Sequence, residues 1–404
     1  MPTRTNAPDS SPADAPDPGG SGPDRPGPAG SRATVADVVA ALEAAAPRGQ
    51  AADWDNVGLL VGDAAAPVSR VVCALDLTPA VIREAERVGA QAVVTHHPIL
   101  FGGAKRVTAD TLEGALVLGL ARRGIAHVAA HTNLDAAPDG VSVALARALG
   151  VAAPRILAPL DDALRKLVVF TPRRAADAVR AALHGAGAGQ IGDYTEASFS
   201  ADGTGRFRPG ADATPAIGTA GGGVEAVDEV RLEVLVERWR LGAVVRALTH
   251  AHPYQEVAYD VYPVANAHRT VGFGAVGDLA APVALDAFLT TVADALQADA
   301  LHVVGDAARP VSRVAVCGGS GMRFLGAARA AGADAFVTAD VTYHRFFEAL
   351  GPDGAPQIAL VDAGHFQTER LAERLLVDVV GGVAGVQAQR TATRTSPVRT
   401  FVKA

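Results

Sequence analysis

Apolar positions along this chain keep two rhythms. From Thr34 onward, Val35, Val38, Val39 and Leu42 recur at helical spacing, with Thr34 placed as an N-cap and Pro47-Arg48-Gly49 as a stop. After WDNVGLLVGD (54–63) the rhythm changes to short unbroken apolar runs at 70–75, AQAVVTHH (90–97) and IAHVAAHTNLD (125–135). Between them, 79–88 and about 109–123 read as helices. Strands alternating with helices predict parallel βαβ units.

The same pattern returns far downstream. Residues 61–95 align without a gap on residues 304–338, at a constant offset of 243, with 16 identities in 35 positions. Val61-Gly62-Asp63-Ala64-Ala65 matches Val304-Gly305-Asp306-Ala307-Ala308, and Pro67–Val71 matches Pro310–Val314. Two copies this far apart are not a solenoid; they predict two related α/β lobes facing each other.

The segment between the copies differs in character. A strand at 165–172 and a helix at 173–184 are followed by a stretch rich in Gly, Ala and Asp (201–223), read as a flexible connector. A strand (229–237), a helix (241–251) and a last strand (259–264) complete it. This order predicts a small ferredoxin-like α+β domain inserted between the lobes. The expected organisation is thus a tail at 1–33, an α/β lobe at 34–158, the insert at 159–270 and a second α/β lobe at 271–404.

Composition narrows the function classes. Hydrophobic residues make up 49% and aromatics only 5%, so the core is large and packed with small side chains. A net charge of −7 argues against nucleic acid as a partner. No apolar run reaches the roughly 18–20 residues of a membrane span, and no membrane contact is expected. The first residues, rich in Pro, Gly, Ser and Asp without an apolar stretch, read as a disordered tail rather than a secretory signal. Two cysteines, Cys73 and Cys317, each inside an apolar run, fit a reducing, cytoplasmic setting and no disulfide framework.

The chemistry-bearing residues gather at strand ends. THHPILFGG places His96 and His97 just after the AVV strand, where open α/β sheets bind ligands. HTNLD places Asp135 at the end of another strand. In GHFQTER, His365 and Glu369 are four apart and share one helical face. His131 and Asp135 keep that same spacing, and Thr338-Ala339-Asp340 stands where the first lobe has Thr95-His96-His97. A mixed His and carboxylate set of this kind suits Zn, Fe, Mn, Co or Ni better than Mg or Ca. His131 is either a ligand or the partner that orients one. Asp340 and His344 are acid/base candidates or supports of the ligands. Lys105 and Arg106 either meet an anionic substrate or lie in solvent.

WDNVGLLVGD, THHPILFGG, HTNLDAAPDGV, TADVTYH and GHFQTE, in this order, resemble the dinuclear-metal proteins labelled GTP cyclohydrolase 1 type 2 homologues, or NGG-interacting-factor-three-like proteins. The resemblance spans about residues 34–400. It departs at Ala339, where the family usually has Gly, and in the additional N-terminal tail. It implies two divalent metal ions per chain on His96, His97, Asp135, His365 and Glu369, a toroidal homohexamer, and a PII-like or CutA-like domain carrying HPYQEVAYDVYPV (252–264). It further implies a metal-dependent hydrolase acting on a small molecule. For GTP, water would attack C8 of guanine, the ring would open and formate would leave. A phosphoesterase on a small nucleotide or phosphometabolite, and a non-catalytic metal-binding regulator or scaffold that binds a small effector, use the same site. His252, Tyr254 and Glu256 of the insert line a ligand site, close over the metal cavity, or form a packed turn.

Overall fold

The computed structural model describes residues 32–401. The predicted tail lies outside them apart from its last two residues. Three sheets organise this part of the chain, and the fold is mixed α/β.

The first sheet runs, edge to edge, Gly58–Val61, Ala126–Ala129, Ala92–Thr95, Arg70–Ala74 and Gln387–Arg390. The second runs His302–Val304, Ala359–Asp362, Ala335–Thr338, Pro310–Val316, Gly272–Ala284 and Ala152–Pro159. The first four strands of each correspond one to one, with one antiparallel edge pair and then parallel pairs. Their central strands read as continuous apolar runs because both faces are covered, as parallel sheets require. Helices Val35–Ala45 and Ala372–Gly381 seal one face of the first sheet, and Pro79–Arg87 and Leu112–Arg123 the other.

The repeat seen in the sequence is also a repeat of hydrogen bonds. Val35 N–H donates to Ala66 O at 2.9 Å, and Leu285 N–H to Arg309 O at 2.9 Å. Ser69 and Arg70 N–H both donate to the Gln91 side chain; Ser312 and Arg313 N–H both donate to Asp334, the equivalent position. Arg70 and Arg313 each reach back to the carbonyl that closes the following helix, Val88 and Ala331.

The halves exchange their ends. Helix Val141–Ala148 and strand Ala152–Pro159 pack into the second sheet's core, although the chain has not yet entered the second half. Helix Ala372–Gly381 and strand Gln387–Arg390 return to the first sheet, the strand pairing in parallel with Arg70–Ala74. Sequence continuity alone, 34–158 and 271–404, does not contain this crossover.

The third sheet has the order Ser198–Phe207, Glu225–Glu237, Leu164–Pro172, Tyr259–Pro263, all antiparallel. Helices Ala176–Gly185 and Leu241–Ala251 cover one face through Val179, Leu183, Val244 and Leu248. One expectation is corrected here. The stretch read as connector from 201 begins with a ten-residue strand, Ser198–Phe207, paired along its whole length with Glu225–Glu237. Its sequence, SFSADGTGRF, is polar and Gly-containing because most of its residues face solvent, so pattern alone does not mark it.

Candidate metal centre

The cluster forms where ends of the first two sheets meet. Strand Ala92–Thr95 delivers His96 and His97, whose N–H groups continue its parallel ladder to Ala74 O and Leu75 O at 3.2 and 3.0 Å. Thr95 Oγ1 then donates to His97 O at 2.6 Å and fixes the turn. HTNLD does not extend the preceding strand as expected; it forms the short helix Thr132–Ala136, with His131 at its N-cap and Asp135 one turn on. Asn133 sets this up by accepting from His131 N–H and donating to Ala46 O. On the other side, helix His365–Glu369 follows strand Ala359–Asp362 and presents both its end residues to the cleft.

Four imidazoles are held in one manner. The Nδ1 of His96 meets Ala130 O at 2.8 Å, that of His97 meets Asp76 at 2.7 Å, that of His131 meets Asp55 at 2.9 Å, and that of His365 meets Asp340 at 2.7 Å. Each ring therefore offers Nε2. Glu369 Oε2 lies between two of them, 2.9 Å from His97 Nε2 and 2.8 Å from His365 Nε2. His96 Nε2 is fully buried with no hydrogen-bond partner among the described residues, 3.6 Å from Asp135 Oδ1. Donor atoms of three groups, His96/His97/His131, His97/His365/Glu369 and His96/Asp135/Glu369, each lie within 4.8 Å of one another. Such groups could hold a metal ion, and an orphaned buried ring nitrogen fits one.

The electrostatics follow the geometry. Burial pushes His96 down to about 3, a neutral ring. Burial would also lower His97, but its hydrogen bonds with Asp76 and Glu369 override this and hold it up at about 10. His365 is held at about 9, against burial, by Glu369 and Asp340. Glu369 stays well below the usual carboxylate range despite burial, because His365 and His97 hydrogen-bond to it. Burial and the nearby Glu369 charge raise Asp135 well above that range. Asp76, His97, Glu369, His365 and Asp340 thus form one alternating line of acid and base across the cleft.

Residues 33–397 match the Duf34/NIF3 (NGG1p interacting factor 3) family. The chain belongs to this family. It is 39% identical over 329 residues to the "GTP cyclohydrolase 1 type 2 homolog" of Halalkalibacterium halodurans, covering 81% of this chain and 87% of that protein. The protein of the same name from Mycobacterium tuberculosis is 41% identical over 339 residues, 83% and 88% of the two chains. A crystal structure of a Bacillus cereus protein related to NIF3 superposes with a TM-score of 0.77 at 34% identity, covering 92% of this chain and all of that one.

The five residues singled out in the sequence, His96, His97, Asp135, His365 and Glu369, are all in the cluster. His131 lies with His96 and His97 in one group whose ring nitrogens are within 4.8 Å of one another, with Asp55 at its Nδ1. Asp340 is brought to the cluster's edge, 2.7 Å from His365 Nδ1. His344 is not brought to the cluster; it is exposed on the short helix Tyr343–Phe346, against the Tyr343 ring. Lys105 and Arg106 are exposed and line neither cavity beside the cluster. Asp55 and Asp76, which fix His131 and His97, escaped sequence reasoning; their signals were their places in WDNVGLLVGD and directly after the VVCAL strand.

A cavity of about 440 Å³ opens on the cluster. Trp54 and Phe101 contribute to its wall from the first half, with ring centroids 5.4 Å apart and roughly half their surface exposed. Phe273 and Phe324 contribute from the second half, stacked at 5.7 Å, with the Arg323 guanidinium 4.9 and 4.5 Å from their centroids. Cys317 also lines the cavity, but burial and the nearby Asp135 and Glu369 push its thiol up to about 12, so it is no thiolate nucleophile at neutral pH.

Proposed function

We propose that the chain is a metal-dependent hydrolase holding two divalent ions, of Zn, Fe, Mn, Co or Ni type, with His96, His97, Asp135, His365 and Glu369 and with His131 beside them. The observation that carries this reading is the common mode of holding: four imidazoles tied at Nδ1, three of them by carboxylates, with Asp135 and Glu369 among them. That arrangement fixes tautomer and ring direction, as metal sites need. These residues would hold the ions, whose binding would supply Lewis acidity and bring the pKa of water toward neutral.

The chain's own residues set what enters. Trp54 and Phe101, with Phe273 and Phe324, suit a flat ring, and Arg323, already laid against two rings, suits an anionic group. A nucleotide carries both features, in keeping with the name of the curated relatives, "GTP cyclohydrolase 1 type 2 homolog". A small phosphorylated metabolite with a ring uses the same contacts. The reading extends to a cytoplasmic homohexamer; among the described residues no helix is long and apolar enough to cross a membrane.

The test is elemental analysis of protein purified without added metal, run beside hydrolysis assays with GTP and a panel of phosphoesters. About two ions per chain and turnover that His97→Ala abolishes would support the proposal. Two ions without turnover would remove the hydrolase, and less than one after reconstitution would remove the site.

A further inference from the structure

The third sheet encloses a cavity of about 470 Å³ on the face away from its two helices. Strand Glu225–Glu237 turns Val230, Leu232, Val234 and Val236 toward the helices, and strand alternation puts Glu229 on the opposite face. Glu229 is nevertheless buried, with 7% of its surface exposed. The turn 252–258 and the connector after Phe207 lie over it, and the two are tied together by Thr214 N–H donating to Gln255 Oε1 at 2.9 Å.

The carboxylate is only half satisfied. Tyr254 O–H donates to Glu229 Oε1 at 2.8 Å, while Oε2 accepts no hydrogen bond from the described residues. Arg206, the one cationic side chain among the cavity's lining residues, makes no salt bridge with it. Room for Oε2 is made by Gly205, where any Cβ would come within 2.1 Å of it. Beside it stand the Phe207 and Tyr254 rings, 5.7 Å apart and edge to face, with Phe170 also in the wall. A carboxylate whose side chain is largely buried while its free oxygen opens onto a cavity with aromatic faces is a recognition element for an organic cation: the carboxylate neutralises the charge and the rings attract it.

We propose that this cavity is a second small-molecule site, separate from the metal cluster, which takes an organic cation of the ammonium or amidinium class on a ring or apolar body. Glu229 Oε2 is its counter-ion, and the Phe207 and Tyr254 rings, in contact with each other edge to face, form one aromatic wall against its body. Glu229, Glu256 and Arg206 line the wall, and the Arg231 guanidinium stands 5.7 Å from the centroid of Phe170, so the preference for a cation rests on the free oxygen of Glu229 and not on the net charge of the wall.

Benzamidine is the probe, titrated calorimetrically into the full-length protein with its metals in place, beside neutral benzamide and anionic benzoate. Expected are saturable binding of benzamidine, benzamide at least tenfold weaker and benzoate not bound. Glu229→Gln should weaken benzamidine at least tenfold, and Gly205→Ala, which displaces the carboxylate, should do likewise. The benzamide comparison needs no variant and so stands even if a substitution fails to fold. Absence of saturable binding, equal binding of benzamide, preference for benzoate, or benzamidine binding unchanged in a folded Glu229→Gln protein would each overturn the proposal.

Discussion

His97 and Asp340 stand at the same position of the two halves of the repeat, 243 residues apart, and have divided one job between them. His97 offers its Nε2 to the cleft, and Asp340 holds the Nδ1 of His365 at 2.7 Å. The duplicated strand end thus places an imidazole facing the cleft in one half and, in the other, the carboxylate that meets His365 Nδ1. Asp340 also sits in the left-handed region, φ 55°, which Asn tolerates well. Asp340→Asn therefore keeps the backbone and a weaker hydrogen bond. We expect it to lower metal affinity about tenfold with little change in thermal stability. Competition against a chromophoric chelator measures this; unchanged affinity would show that His365 needs no carboxylate.

Gly319 passes beneath the cluster with φ 58°, and a Cβ there would come within 2.0 Å of Glu369 Oε1. Gly319→Ala should cost roughly 1–2 kcal/mol for the backbone alone and in addition push Glu369 from its place between His97 and His365. Gly124→Ala is the matched control, with φ 62° and nothing within 4 Å of the added Cβ. Both should lose the backbone share in urea melts, Gly319→Ala losing more because it also displaces Glu369, and only Gly319→Ala should lose metal. Equal metal content in both would mean that Glu369 is not a donor.

Much of this site could be read in the chain because its donors lie at the ends of apolar strands. The AVV run fixes where His96 and His97 emerge, and the spacing of His365 and Glu369 states their shared face. What pattern could not supply is which separate segments converge. Asp55 and Asp76 are single carboxylates with no periodic partner, and only the fold brings them to Nδ1 atoms 76 and 21 residues away. The exchanged strand Gln387–Arg390 is polar, so nothing in its sequence says which sheet edge it joins. Strand Ser198–Phe207 is written by its backbone ladder and not by apolar side chains.

His127 makes acid sensitivity testable away from the cluster. Its ring is buried against a face of the first sheet, whose strand Ala126–Ala129 carries it, meets Thr95 Oγ1 at 2.7 Å, and is pushed by burial down to about 3. The unfolded chain binds that proton at about 6.5. Stability from this group is therefore complete above about pH 6.5 and falls as pH drops toward about 3, by about 1.4 kcal/mol per unit. Urea denaturation at about pH 5 and 7.5 should show wild type losing about 2 kcal/mol more than His127→Gln. Equal losses would mean that the ring is protonated in the folded protein.

The last expectation concerns the exchanged C-terminal end. Glu84, 6% exposed on helix Pro79–Arg87, accepts from Thr391 Oγ1 at 2.6 Å, Ala392 N–H at 2.9 Å and Thr393 Oγ1 at 2.9 Å. Two residues on, Thr395 Oγ1 donates to Asp76 at 2.6 Å, the carboxylate that orients His97. One buried anion thus anchors the returning strand, and the same segment continues to the His and carboxylate cluster through Asp76. Hydrogen bonds to a charged acceptor contribute about 1.5–3 kcal/mol each, but the freed threonines regain water, so Glu84→Ala should cost about 3 kcal/mol in all. Hydrogen exchange should speed first in Gln387–Arg390, whose ladder with Arg70–Cys73 is an edge pairing, and metal affinity should fall several-fold through Asp76. Faster exchange with unchanged affinity would show that Asp76 holds His97 without Thr395. Unchanged exchange would place the anchor in helix Ala372–Gly381 instead.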